Sequence, residues 1–197
     1  MRTGRLEAFS DGVLAILITI MVLELKTPHG ATLAALGSSA VGLVTYLLSF
    51  VYLGIYWSNH HHMFQLVRRV DGAILWANLG LLFCLSLVPF TTSWMDDTHV
   101  ATVPVTVYGV NLLGAAVAYY VLQLAIFRAE GPDSLLRQAV GRDLKGKLSP
   151  AIYLAGILGA LLSPWVGIVA YVVVAVIWLV PDRRAERFIH DHALTED

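Results

Sequence analysis

Two short stretches of the chain hold the side chains able to do chemistry: RLEAFSDG at 5–12 and WSNHHHMF at 57–64. Between them they offer Arg5, Ser10, Asp11, Trp57, Asn59, His60 and His61, a set that fits a proton relay, a metal site or a structural network. The metal is the weakest of these readings. Consecutive residues of a helix point ~100° apart, so three adjacent imidazoles do not converge on one ion. No cysteine or neighbouring carboxylate completes a ligand set. Nor does the sequence hold a nucleophile paired with a base, so neither an enzyme nor a resident cofactor is expected.

The carboxylate of Asp11 stands directly before the apolar run VLAILITIMVL. It has two physical explanations. Ser10 or Asp11 caps a helix at the surface, where carboxylates suit the positive end of the helix dipole. Alternatively, Asp11 lies within an apolar medium and is paired there with Arg5, His60, His61 or Asn78.

The elements that position these residues follow from hydropathy. The 197 residues are 57% hydrophobic and 14% charged, with a mean hydropathy of +0.71. That is the composition of an integral membrane protein. Apolar stretches at 6–26, 41–63, 74–95, 103–127, 149–163 and 166–181 predict an all-α fold of six transmembrane helices. Pro164 and Trp165 divide the last apolar region into a tight helical hairpin. One six-helix transmembrane domain is predicted over 1–181, with a loop at 129–147 that includes a short amphipathic helix at 134–140. A polar tail follows at 182–197.

Charge placement tests that layout independently. Loops retained in the cytoplasm collect Lys and Arg, and with the amino terminus inside, every one of the 13 basic residues except Lys26 falls on the inner side. Both termini are therefore expected in the cytoplasm. The net charge of −1 conceals this sidedness and predicts no nucleic-acid partner. The first span is not read as a secretory signal, because no small-residue cleavage site follows it. Cys84 is the only cysteine, and no internal repeat is visible.

Alternating spans bring distant residues to one depth. Asp11, the WSNHHH end of the second span, Asn78 near the start of the third, and Tyr119, Tyr120 and Gln123 at the end of the fourth all reach the inner side. From Val13 to Leu23 the first span offers only about 16 Å of helix, against a hydrocarbon thickness of ~30 Å. It must therefore carry Ser10, Asp11 and Glu7 at or near membrane depth, facing protein or water. On the same helix Ile16, Thr19, Ile20 and Leu23 form one stripe at i, i+3, i+4 and i+7. The stripe serves either packing or the lining of a pore.

RLEAFSDG followed by VLAILITIMVLELKTP resembles the first helix of the transmembrane protein 175 family, with its Arg, three residues, then Phe-Ser-Asp. YWSNHHHMF resembles the family's second helix, and NLGLLFCLSLVPFTTSW its third, with Asn78 and Pro89–Phe90 in place. The similarity covers about the first 95 residues. It implies a potassium-permeable channel in which single-repeat chains assemble as homotetramers around a central pore, with monovalent cations as the permeant partners. Carried over by position, it implies that Ile16 forms the narrowest ring and Thr19 the next, with Ile20 and Leu23 continuing outward. Arg5, Ser10, Asp11, Trp57, His60, His61 and Asn78 would brace that helix; His62 receives no role. A single repeat further implies a prokaryotic plasma membrane.

An isoleucine ring offers a cation no ligands, so the ion passes partly dehydrated, selectivity is modest, and the same ring gates by dewetting. The main rival is a proton-coupled cation transporter using Asp11, His60 and His61 as a relay. A second rival is a non-transporting membrane scaffold. Saturable, pH-driven uptake marks the former, and absence of flux from intact tetramers the latter.

Overall fold

The computed structural model describes residues 3–140 and 144–179. The tail at 182–197 and the last two residues of the sixth expected span lie outside the described residues. Among those described, the fold is all-helical: α1 Thr3–Leu23, α2 Leu33–Ser38, α3 Ala40–Gln65, α4 Gly72–Ser86, α5 Val88–Asp97, α6 Thr102–Glu130, a 3-10 turn Gly131–Asp133, α7 Leu135–Val140, α8 Leu144–Ala160 and α9 Pro164–Leu179.

Four stretches are long and apolar enough to cross a bilayer: α1, α3, the combined α4–α5 segment Gly72–Asp97, and α6. The expected count of six therefore resolves into four full-length spans and a shorter pair. That pair, α8 and α9, has 17 and 16 residues. It forms the hairpin predicted at Pro164, which opens α9 at a position where its missing N–H costs nothing. Small residues let the two helices meet closely. A β-carbon at Gly167 would lie 2.8 Å from Ala160 Cβ and 3.1 Å from the Gly156 carbonyl.

Pro89 divides the third span. Lacking an N–H, it cannot continue the helical ladder, and Leu87 separates α4 from α5. The carbonyl this leaves, Leu85 O, is reached by the Leu87 N–H, and hydroxyls add bonds in the first turn of α5, Thr91 donating to Leu87 O at 3.1 Å and Thr92 to Val88 O at 2.7 Å. This is how a break is tolerated where water is scarce. The predicted short helix at 134–140 appears as α7. The connection after α1 holds one further helix, α2, a six-residue segment LAALGS capped by Thr32 and too short to be marked as a span.

Helix α6 is the hub, packing against α4, α5, α8 and α9, whereas α1 packs only against α3, α4 and α5 among its main neighbours. One end of the bundle carries Arg68, Arg69, Arg128 and Arg137 and is tied together by Thr3 Oγ1 donating to Val67 O (3.3 Å) and Arg68 N donating to Glu130 Oε1 (2.6 Å). The opposite end is joined by the Lys26–Asp97 ion pair at 2.5 Å. The two hydrogen bonds join the ends of α1, α3 and α6, and the ion pair joins the other end of α1 to that of α5.

Candidate functional site

Helix α1 has two distinct faces. Leu6, Ser10, Leu14, Leu17 and Met21 are buried against the rest of the chain. Their spacing of three and four residues keeps one stripe of the helix on its neighbours. The opposite stripe is open: Ile16 is 58% exposed, Ile20 40% and Leu23 80%, and Thr19 is also exposed. All four residues of the stripe singled out in the sequence thus lie on the more open face of the helix among the described residues. Thr19 Oγ1 donates to Ile16 O at 2.8 Å, which commits the hydroxyl proton to the backbone and leaves the oxygen lone pairs available.

The buried face is held by a directed hydrogen-bond chain. Asn78 Nδ2 donates to Ser10 Oγ (3.0 Å), and Ser10 Oγ donates to Leu6 O (2.9 Å). Asn78 Oδ1 is therefore the acceptor opposite His60 Nε2 at 2.8 Å, so that ring nitrogen carries the proton. Ser10 and Asn78 are fully buried and His60 nearly so. The chain runs α3 to α4 to α1, and each link is satisfied by a different helix. His60 is further fixed by stacking on Phe64, with ring centroids 4.4 Å apart.

A second link stands one turn nearer the basic end. His61 Nδ1 lies 2.7 Å from Glu7 Oε1, and His61 Nε2 lies 2.8 Å from Gln65 Nε2. An amide N–H has no acceptor role, so Nε2 accepts and Nδ1 donates to the carboxylate. Trp57 stacks on His61 at 6.3 Å with a 21° interplanar angle. The adjacent histidines therefore diverge, His60 toward α4 and His61 toward α1, as helical geometry requires. No group of three or more metal-ligating side chains converges among the described residues.

Arg5 and Asp11 stand apart from both links. Arg5 is exposed, and among the described residues Asp11 makes no ion pair or hydrogen bond, although its Oδ1 is buried. The expected Asp11–Arg5 pair does not form within one chain. The reason is rotational: Ser10 takes the position facing α4, and Asp11, 100° round the helix, turns toward the edge of the covered face. Glu7 supplies the carboxylate contact that had been expected of Asp11. Its signal in the sequence was a position one turn before Ser10 and Asp11, and that of Gln65 a position one turn after His61.

The polar layer expected from four helices divides in two. Tyr119, Tyr120 and Gln123 of α6 do not join the brace on α1 but face a separate cleft on the far side of α3, where Tyr119 Oη donates to Asn59 O at 3.2 Å.

The brace, the open stripe and the helices carrying them have counterparts in known proteins. A family model described as endosomal/lysosomal potassium channel TMEM175 matches residues 5–89. The chain is 49% identical over 192 residues to a protein named as a potassium channel from Chryseobacterium sp. (strain P1-3), covering 98% of this chain and all of that one. The chain belongs to the TMEM175 family. Among solved structures, the crystal structure of a lysosomal potassium-selective channel TMEM175 homolog from Chamaesiphon minutus superimposes with a TM-score of 0.74 at 32% identity, covering 90% of this chain and 96% of that one. A Danio rerio protein named as endosomal/lysosomal proton channel TMEM175 is 30% identical over 118 residues, which is 57% of this chain and 22% of that one. The stretch matched by the TMEM175 family model contains α3 and α4 entire and all of α1 but its first two residues, and these are the three helices joined by the Ser10–Asn78–His60 chain.

Proposed function

We propose that the protein is a potassium-permeable cation channel of the plasma membrane, formed by four copies whose α1 helices surround a central axis, with both termini cytoplasmic. The observation that carries this reading is the contrast between the two faces of α1. Among the described residues the helix is anchored by buried hydrogen bonds on one side, and on the other presents Ile16, Thr19, Ile20 and Leu23 exposed. A bilayer-spanning helix with one rigidly held face is suited to lining a pore with the other.

In that arrangement Ile16 forms the constriction. Its side chains give a cation no oxygen, so the ion sheds part of its water to pass, which costs potassium less than sodium. The Thr19 ring, one turn outward, supplies oxygens whose lone pairs are free because each hydroxyl proton is donated to Ile16 O. Ile20 and Leu23 continue the apolar wall. Similarity to proteins named as potassium channels supports the choice of ion. The braces from Ser10 to Asn78 and from Glu7 to His61 hold α1 against α3 and α4, so opening requires these helices to move as a unit or the links to exchange.

The rival relay through Asp11, His60 and His61 fits less well, because among the described residues Asp11 Oδ1 makes no hydrogen bond and the two histidines belong to different links. The test is K⁺ and Na⁺ flux from purified protein in liposomes. Ile16→Asn is expected to raise leak and to reduce the K⁺ preference; unchanged rate and selectivity in that variant would place the constriction elsewhere.

A further inference from the structure

On the side of α3 away from α1, a cleft is enclosed by α3, α6, α8 and α9 near the basic end of the bundle. Tyr52, Tyr56, Tyr119 and Tyr153 form aromatic walls, and Trp178 closes one side, held by Nε1 donating to Ser149 Oγ at 2.8 Å. Among the described residues no charged side chain lines it. Its deep polar group is Gln123, only 5% exposed, whose amide makes no hydrogen bond among the described residues. Facing the cleft, the amide keeps both a donor and an acceptor for whatever enters it. We infer that this cleft is a binding site for the polar end of a neutral single-chain amphipath, its hydroxyl or carbonyl oxygen taken by the Gln123 amide and its apolar tail leaving along the outer face of α6.

The chemistry of the lining selects that class. An ion would be stripped of water with no opposite charge among the described residues to meet it, whereas a hydroxyl both gives and receives hydrogen bonds with an amide and a carbonyl oxygen accepts one from it. The enclosed space is about 40 Å³, room for roughly two to four water-sized groups, so it takes a head and not a whole lipid. Tyr120 is the one exposed residue of the lining, and it continues on α6 into exposed Val117 and Val121. A tail leaving the cleft at Tyr120 therefore meets an apolar strip at membrane depth, and aromatic rings with polar tips suit such an interface.

The position gives the occupant a lever. Asn59 lines the cleft while its neighbour in sequence, His60, points to the other side of α3 and holds Asn78. A wedge between α3 and α6 thus biases the helix that braces α1; this consequence rests on the channel reading, but binding itself does not.

The test separates the two. Purified protein in phosphatidylglycerol vesicles is photolabelled with 3-azioctanol, and the adducts are mapped by peptide mass spectrometry with and without excess monoolein. Labelling is expected at Tyr119, Tyr120 or Tyr153, reduced at least fivefold by monoolein and at least fivefold in Gln123→Leu. Ala116→Leu, which fills the cleft without touching the amide, should also abolish it, so that a folding defect in one variant leaves the other informative. Labelling that is spread over lipid-facing residues, resists competition, or is equal in both variants and the native chain would overturn the site. In the flux arm, octanol should change K⁺ efflux at least twofold in the native chain and not in Gln123→Leu. Adducts at the cleft without any change in efflux would confirm the site and remove its control over α1, and a chain with no K⁺ efflux at all would remove the channel reading while leaving the labelling result intact.

Discussion

Replacing Asn78 by Leu tests whether the chain from His60 to Ser10 is what fixes α1. The substitution nearly conserves volume, so the loss reports hydrogen bonding more than a cavity. Two bonds disappear, at 2.8 and 3.0 Å, each worth ~0.6–1.7 kcal/mol between membrane helices. The His60 N–H is then buried without an acceptor, at a further cost of ~1–3 kcal/mol. Ser10 retains its bond to Leu6 O. The sum is a destabilisation of about 2–6 kcal/mol. Denaturant unfolding in mixed micelles, followed by tryptophan fluorescence at one protein concentration, measures it, since association otherwise adds to apparent stability. Adding His60→Phe removes the orphaned donor and preserves the stack on Phe64; the double variant should therefore be more stable than Asn78→Leu alone by about 1–3 kcal/mol. Asp11→Asn, which breaks no contact within the chain, should cost under about 1 kcal/mol before assembly. A loss below about 0.5 kcal/mol in Asn78→Leu, or a double variant no better than the single one, would refute the reasoning.

Packing and surface sites give three more tests. A β-carbon at Gly109 would lie 1.9 Å from Tyr171 Oη and 2.9 Å from Ile157 Cγ1, so Gly109→Ala should cost about 1–3 kcal/mol in the same unfolding assay, with part recovered by Tyr171→Phe. His99 holds a positive φ of 48° at the end of α5, a conformation that strains an ordinary residue, and His99→Gly should raise stability by about 1 kcal/mol, read as a higher unfolding midpoint. Lys26 has its pKa raised by its hydrogen bond and charge pairing with Asp97. A raised folded-state pKa means that the pair's contribution is complete below the ordinary lysine range and is lost as pH rises through the folded value. The stability difference between the native chain and Lys26→Gln should therefore be flat from pH 7 to 9 and shrink above about pH 10.5.

How the polar residues divide among neighbours illustrates where reading from sequence succeeds and where it stops. The meeting of Ser10, His60 and Asn78 was legible, because alternating spans place the start of α1, the end of α3 and the start of α4 at one depth. The partner of each residue was not. Depth follows from residue count along an axis, whereas partnership depends on rotation about that axis, and adjacent residues differ by ~100°. This is why Glu7, not Asp11, reaches His61, and why Asn59 faces the cleft of α6 while His60 faces α4. The hairpin at Pro164 was read from the missing N–H of proline, whereas the third span, read as one helix over 74–95, is divided before Pro89 for the same reason.

By itself, the sequence determined the medium, the sidedness of charge and the boundaries of the long helices. Those properties are sums over consecutive residues and need no partner to be defined. It also marked Ile16, Thr19, Ile20 and Leu23 as a single stripe, since helical periodicity is local. Only the tertiary structure decided that this stripe stays open while the Leu6–Ser10–Leu14 face is closed, and that α6 gathers the remaining helices into a separate aromatic cleft. Those outcomes depend on which apolar surfaces meet, and the spans, apolar on most sides, do not encode that choice in any one segment.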